Sequence, residues 1–343
     1  MTTPAALAEH FNERGFGRCG TALVHSVVHL EASRHPVHPL RRYLGGLAWD
    51  GQPRLSRFLF DCCDAVIASD DLEERPAAET YIEAISRGFF ISAVARAFKP
   101  GCQVDTMLII EGAQGAMKSR LLRTLAVRDE WFTDSLPHNL ESKDARAHLA
   151  GAWLVEMSEV AQFRRAEVET VKAFLSCRVD RYRPAYGRCD VQVPRSCIFV
   201  GSTNAETYLH DPTGNRRFWP VRVRTVRVEK ARGMVDQLWG EATAAFHAGE
   251  QWWLDVDLEM RATVEQAARV TRDPWHDGIA DFLKKTPRNA TFTTGDVLTA
   301  IGVPQDRRDR GHEIRVGNVL RELDCIRRRE TGGSRRYVYS LGS

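Results

Sequence analysis

Leu108-Ile-Ile-Glu-Gly-Ala-Gln-Gly-Ala-Met-Lys-Ser-Arg120 is the stretch that decides the fold. An apolar run, Thr106–Ile110, leads into Gly112-x-x-Gly115-x-x-Lys118-Ser119, and a helix-like stretch, Ser119–Ala126, follows. Strand, glycine loop and helix in that order suit a bound phosphate. Glycines let backbone N–H groups curl around the anion, and the helix N-terminus adds partial positive charge. The candidate cradle is therefore Gly112, Ala113, Gln114, Gly115, Ala116, Met117, Lys118 and Ser119. In a loop of this kind Lys118 reaches the β/γ-phosphates and the Ser119 hydroxyl sits on Mg²⁺. The strict pattern places glycine before the lysine, whereas this chain has Met117. If that backbone needs a positive φ, methionine carries a cost there.

Working outward, Ala152-Trp-Leu-Val-Glu-Met-Ser-Glu159 supplies a second buried-strand candidate, Ala152–Glu156, with an acid at its end. Glu156 is the candidate for the metal and the attacking water, with Glu159 as second choice. A third strand candidate, Ser196–Ser202, runs on to Asn204, whose amide suits orienting a water. Asp211-Pro-Thr-Gly-Asn-Arg-Arg-Phe-Trp-Pro220 puts Arg216 and Arg217 on a turn before a fourth strand, Phe218–Val223. Arginines supplied by a neighbouring subunit stabilise transition-state charge in many NTPases. The helix expected over Ala166–Ser176 and the strands around it argue a parallel sheet covered by helices. Val179–Arg188 interleaves Arg181, Arg183 and Arg188 with Tyr182 and Tyr186 around Pro and Gly, a hairpin candidate. Arginine meets phosphate and tyrosine stacks on bases.

The 343 residues are 27% charged and 43% hydrophobic, and length alone suggests about two domains. Net charge is only +3, although arginines outnumber lysines 41 to seven. No apolar window approaches a membrane span, and Met1–Phe11 lacks the basic start of a secretory leader. A soluble cytoplasmic protein without a membrane partner is expected. The eight cysteines form no C-x-x-C pair and read as reduced thiols rather than a zinc site. His25, His29, His35 and His38 lack acidic and cysteine partners and read as surface histidines. Residues 1–35 read as irregular. Ala77–Phe98 reads as a long helix closed by Pro100-Gly101, and further helices are expected near Val228–His247 and Asp255–Thr271. Beyond Asp273-Pro274, helices over Trp275–Lys285, Thr294–Ile301 and Arg315–Leu323 precede a basic hairpin, Ile326–Ser340. Arg327, Arg328, Arg329, Arg335 and Arg336 against Glu330 give that hairpin a local +4, a nucleic-acid footprint. Three helices and a hairpin resemble a winged helix, whose third helix suits the major groove.

Together these motifs resemble the virulence-associated E (VirE-like) family of P-loop ATPases of prophages and mobile elements. That family is akin to superfamily 3 and poxvirus-type helicases within the AAA+ class. The likeness runs from about His38 to Trp253. It rests on Glu111–Ser119, Trp153–Glu159, Lys172–Ser176 with Asp180–Arg188, Gly201–Asn204 and Asp211–Pro220 in that order. The resemblance implies an α/β fold: a P-loop NTPase (AAA+-like) core over 101–272, an N-terminal, largely helical region over 1–100 and a winged-helix-like module over 273–343. It implies Gly112, Gly115, Lys118 and Ser119 as Walker A, Glu156 as Walker B, Asn204 as sensor 1, and Arg216 or Arg217 as arginine finger. Asp180–Arg188 falls where such helicases carry a pore hairpin, with Lys172 just before it. The implied cofactors are ATP and Mg²⁺. The implied activity is that of a ring-forming motor; no primase-like segment precedes the ATPase, so the chain is expected to lack priming activity of its own, with a separate primase or host replication proteins beside it. A homo-oligomeric ring, a hexamer, would act on single-stranded and replication-origin DNA as a helicase or translocase. The alternative is an ATP-binding replication-initiation or regulatory DNA-binding protein with little motor activity. An RNA-directed or defence-type NTPase is a third reading.

Overall fold

The computed structural model describes residues 4–16, 19–34, 38–67, 72–137, 139–159, 165–183, 189–209, 214–271, 273–329 and 337–341. They fall into two compact units, residues 1–268 and 269–343.

The first unit opens with helices α1 (Pro4–Glu13), α2 (Thr21–Arg34), α3 (Pro39–Gly45), α4 (Phe58–Cys63) and α5 (Arg75–Phe98). Residues 1–35, expected to be irregular, therefore hold two helices. In the second of them the apolar residues carry little helical periodicity, and Leu23, Val27, Val28 and Leu30 are exposed. His38 caps α3, its ring nitrogen accepting from the Arg41 N–H. Strand β1 (Met107–Glu111) and α6 (Lys118–Leu125) follow, then β2 (Phe132–Thr133), α7 (Lys143–His148), β3 (Leu154–Ser158) and α8 (Arg165–Ser176). A hairpin of β4 (Val179–Tyr182) and β5 (Val191–Pro194) precedes β6 (Ile198–Thr203) and β7 (Phe218–Arg222). Helices α9 (Val228–His247) and α10 (Val256–Ala267) close the unit. The last helix stops short of the expected Thr271.

Five strands form one parallel sheet in the order β2-β3-β6-β1-β7. Every residue of β1 and β6 is buried. A parallel sheet covered on both faces needs such continuous apolar runs, which is why these strands were legible in sequence. The two-residue edge strand β2 is too short to leave a pattern. After β1 the chain moves to the far edge, returns through β3 and β6, and crosses to β7 on the other side. Ligands in open α/β sheets bind outside the carboxyl ends of strands at such a switch point.

Helices α3–α6, α9 and α10 share one apolar core with the sheet. At its centre Trp153 and Trp239 lie 4.3 Å apart, centroid to centroid. Their indole N–H groups donate to Ala93 O at 2.9 Å and Leu125 O at 2.8 Å. Buried Glu241 on α9 accepts from the Arg54 and Leu55 N–H groups and pairs with Arg87 on α5. The loop before α4 is thereby fixed to the helical layer.

The second unit holds α11 (His276–Lys285), α12 (Thr294–Ala300), α13 (Arg310–Glu322) and an antiparallel hairpin of β8 (Ile326–Arg329) and β9 (Tyr337–Ser340). Its own core gathers Ile279, Val297, Leu298, Val316, Val319 and Leu320. Helix α13 starts at Arg310, five residues before the expected Arg315, because Asp309 caps it by accepting from the His312 N–H. Among the described residues no helix is long and apolar enough to cross a membrane.

Trp153→Ala removes a fully buried indole and its hydrogen bond. It is expected to lower unfolding stability by about 3–5 kcal/mol. Trp253→Ala, at an exposed site, is expected to stay within about 0.5 kcal/mol. Chemical denaturation of both variants checks the contrast; equal losses would contradict this core.

Candidate nucleotide-binding site

Three strand ends meet at the carboxyl edge of the sheet. The loop after β1 starts at Gly112, whose N–H donates to Thr203 O at 3.1 Å. A Cβ at Gly112 would lie 3.0 Å from Val223 O, so only glycine lets the loop pass this close to the strand end beside it. Gly115 has φ 80° and Met117 φ 62°, both left-handed. Met117 is the N-terminal cap of α6, and its side chain is 52% exposed. The position where the strict pattern has glycine does need a positive φ, and methionine accepts that strain without burying its side chain.

Lys118 bends back over the loop. Its ammonium donates to Gly112 O at 2.7 Å and Ala113 O at 3.0 Å. Burial lowers its pKa from the ordinary lysine value, against the opposing pull of the Glu156 carboxylate. Gln114, Gly115, Ala116, Met117, Lys118 and Ser119 line a cavity of about 320 Å³ together with Ser158, Glu159, Ser202, Thr203 and Asn204. Asn204 directly follows β6 and is exposed.

Glu156 sits in the middle of β3, two places before the strand's end at Ser158 rather than at its end, and is 1% exposed. Its Oε1 accepts from Ser119 Oγ at 2.7 Å and from Ser202 Oγ at 2.6 Å. Its Oε2 is buried and has no hydrogen-bond partner. Leaving such an oxygen unpaired costs about 1–3 kcal/mol. A cation at this carboxylate, beside the Ser119 hydroxyl, satisfies it. Mg²⁺ commonly uses one or two carboxylates plus phosphate oxygens, so the residues present fit that ion. Glu159 has a left-handed backbone, φ 53°, and lines both the loop cavity and a second cavity of about 600 Å³ that Glu156 also lines. Among the described residues no group of three or more His, Cys, Asp or Glu side chains could hold a metal. The sequence reading missed Ser202. Its signal is a hydroxyl within a strand that is buried throughout. It also missed Tyr208, which donates to the buried Glu111 at 2.8 Å beneath the loop.

The arginines lie elsewhere. Arg216 and Arg217 form a 3-10 turn, Asn215–Arg217, just before β7. Phe218 pairs with Met107, the first residue of β1, whereas the glycine loop follows Glu111, the last. The turn is thus at the amino edge of the sheet, opposite the cavity. Arg217 Nε donates to Ser176 Oγ at 2.9 Å, while Arg216 is exposed.

The β4–β5 hairpin is present, with Arg181 exposed and ion-paired to Asp190 at 3.4 Å. Arg183 is exposed beside it. Lys172 is buried, its ammonium 2.8 Å from Glu169 Oε1, so it faces a carboxylate rather than solvent. In the second unit Arg327, Arg328 and Arg329 are exposed along β8, and the Arg327 guanidinium lies 3.6 Å over the Tyr337 ring. Tyr186, Arg188, Arg335 and Arg336 lie outside the described residues.

The match to a family model falls on this same region. The description "Virulence-associated protein E-like domain" matches residues 44–271, about two thirds of the chain. The chain belongs to the virulence-associated protein E-like family. Its matched segment contains the glycine loop, Glu156, Asn204 and the arginine turn. No curated protein matches the chain. Solved apo structures of the NrS-1 C-terminal region are similar at 14% identity. One has a TM-score of 0.49 and covers 87% of this chain and 78% of that chain. An A-form structure gives 0.46 over the same shares, and another gives 0.47 over 88% and 78%.

Met117→Gly relieves a left-handed residue, worth about 1–2 kcal/mol, against a glycine entropy cost of about 0.5–1 kcal/mol. A net gain of about 0.5–1 kcal/mol in denaturant unfolding is expected. A lower or unchanged stability would contradict the left-handed loop.

Proposed function

We propose that the chain is an ATP-dependent, ring-forming DNA helicase or translocase serving replication of a prophage or mobile element. The observation that carries this reading is the Ser119–Glu156 contact. It joins the helix after the glycine loop to a buried acid with one oxygen unpaired. That is the donor set a nucleotide and its cation require. In this reading residues 112–119 are a P-loop, the sheet is an AAA+-like core, and residues 273–343 are a winged-helix-like DNA-binding module. The hairpin arginines Arg181, Arg183 and Arg188, with Tyr186, would grip single-stranded DNA. Lys172 would join them only by giving up Glu169. The β8–β9 arginines would hold origin DNA, and a separate primase or host replication proteins would act alongside.

The chemistry follows from the side chains. The loop amides and the start of α6 bind the phosphates. Lys118 exchanges the Gly112 and Ala113 carbonyls for phosphate oxygens. Ser119 Oγ and Glu156 would hold Mg²⁺, which when bound would supply charge neutralisation for the phosphates. Glu156 also polarises the attacking water, and Asn204 orients it. Arg216 acts as the finger on ATP held by the neighbouring subunit, because Arg217 is already engaged by Ser176. A second reading, an ATP-gated initiation or regulatory factor with little turnover, draws on the strain at Met117.

Steady-state ATPase rates with and without single-stranded DNA separate the two. Lys118→Ala and Glu156→Gln are each expected to lose at least about 100-fold in turnover. Mixing Arg216→Ala with Lys118→Ala subunits should recover part of the activity, since a mixed interface pairs an intact loop with an intact finger. Normal hydrolysis by Lys118→Ala would refute the assigned site. A native chain that binds ATP without turnover would favour the second reading.

A further inference from the structure

We infer that the last turn of α8 couples the arginine turn to the β4–β5 hairpin, with Ser176 and Arg195 as positioning residues. The inference rests on the proposed motor function, in which the arginine turn faces a neighbour's ATP and the hairpin holds DNA.

Two contacts meet at the end of α8. On one side Ser176 Oγ accepts from Arg217 Nε at 2.9 Å, and Gly214 of the same arginine loop sits against the Lys172 side chain. On the other side the Arg195 guanidinium donates to Phe174 O and lies 4.6 Å over the Phe174 ring. The same guanidinium grips Asp180 of β4 through two bonds, Nε to Oδ2 at 2.9 Å and Nη2 to Oδ1 at 2.6 Å. Arg195 lies between β5 and β6, and the end of β6, Ser202 and Thr203, lines the nucleotide cavity together with Asn204 just after it. Helix α8 also presents Glu167, Thr170 and Val171 to the cavity that Glu156 lines. A shift of the arginine turn therefore reaches the hairpin base through one helical turn and one guanidinium.

Stability alone is a poor reason for this arrangement. Asp180 and Arg195 are both buried, and apolar residues of similar volume often replace such a pair at no loss. A bidentate pair fixes direction as well as distance, which suits a joint that transmits a displacement.

The test is thermodynamic linkage in the full-length chain. Affinity for a fluorescent oligo-dT strand is measured with and without a non-hydrolysable ATP analogue. For the native chain the two affinities should differ by about 5–150-fold, the usual range of coupling between sites. Ser176→Ala should shrink that ratio to less than about twofold. Its nucleotide-free DNA affinity, DNA-free ATPase rate and unfolding midpoint should stay native. Ser176→Thr, which keeps the hydroxyl, should restore the ratio. The double replacement Asp180→Leu with Arg195→Met, chosen to preserve packing, should also lose it. A native ratio in Ser176→Ala and in the double variant overturns the coupling. So does a native chain whose ATPase responds to DNA but whose two affinities are equal. A native chain with neither DNA binding nor ATPase overturns the functional reading as well, and is told apart by those two assays.

Discussion

Two hydroxyls converge on one oxygen of Glu156: Ser119 from the helix after the glycine loop and Ser202 from β6. The contact is possible only because β6 lies between β1 and β3, so that three strand ends open on one space. Remove either hydroxyl and a buried carboxylate loses a partner while its other oxygen is already unpaired. Such groups are tolerated inside a protein when the surrounding structure holds them rigidly or a ligand completes them. The tryptophan core behind β3 supplies the rigidity. Trp153 immediately precedes that strand and is locked to α5 through Ala93 O.

Local strain gathers at the same edge. Met117 and Glu159 both adopt left-handed backbone, and both line the loop cavity. Non-glycine residues keep such conformations only where neighbours over-determine them, and functional sites are where this is commonly found. Gly112 is pinned by Thr203 and hemmed in by Val223, while Lys118 closes the loop over its own carbonyls. The loop is therefore held in shape by its frame rather than by the preferences of each residue. That explains how methionine stands in a place better suited to glycine.

Residues whose role is local were legible in the sequence. The glycine loop, the apolar strands and the acid on β3 each leave a pattern within a dozen positions. The hairpin was legible from its Pro- and Gly-containing turn and from arginines interleaved with Tyr182 and Tyr186. What escaped depends on strand order, which no short window records. Ser202 matters because its strand neighbours the one that carries Glu156, 46 positions away. Asp180 and Arg195 look like two more surface charges in a basic stretch until the hairpin buries them face to face. The second helix escaped for the opposite reason: with several apolar residues left in solvent, no stripe marks a buried face. Lys172 shows the reverse risk. Its position near a basic hairpin suggested nucleic acid, yet its side chain is buried and its ammonium pairs with the exposed carboxylate of Glu169.

The two edges of the sheet divide the chemistry. A five-residue strand is about 13–17 Å long, and β1 has the glycine loop beyond one end and the arginine turn beside the other. No rearrangement of a side chain brings Arg216 across that span while the sheet stays intact. If the arginine serves hydrolysis, it serves a loop on another copy. Each copy then offers a loop at one edge and an arginine at the other, which is a head-to-tail surface rather than a self-complementary one. Head-to-tail contacts close into rings when the rotation between copies permits and otherwise run on as filaments. In the proposed reading, the requirement for a second subunit thus follows from the direction of a parallel strand, before any interface has been seen.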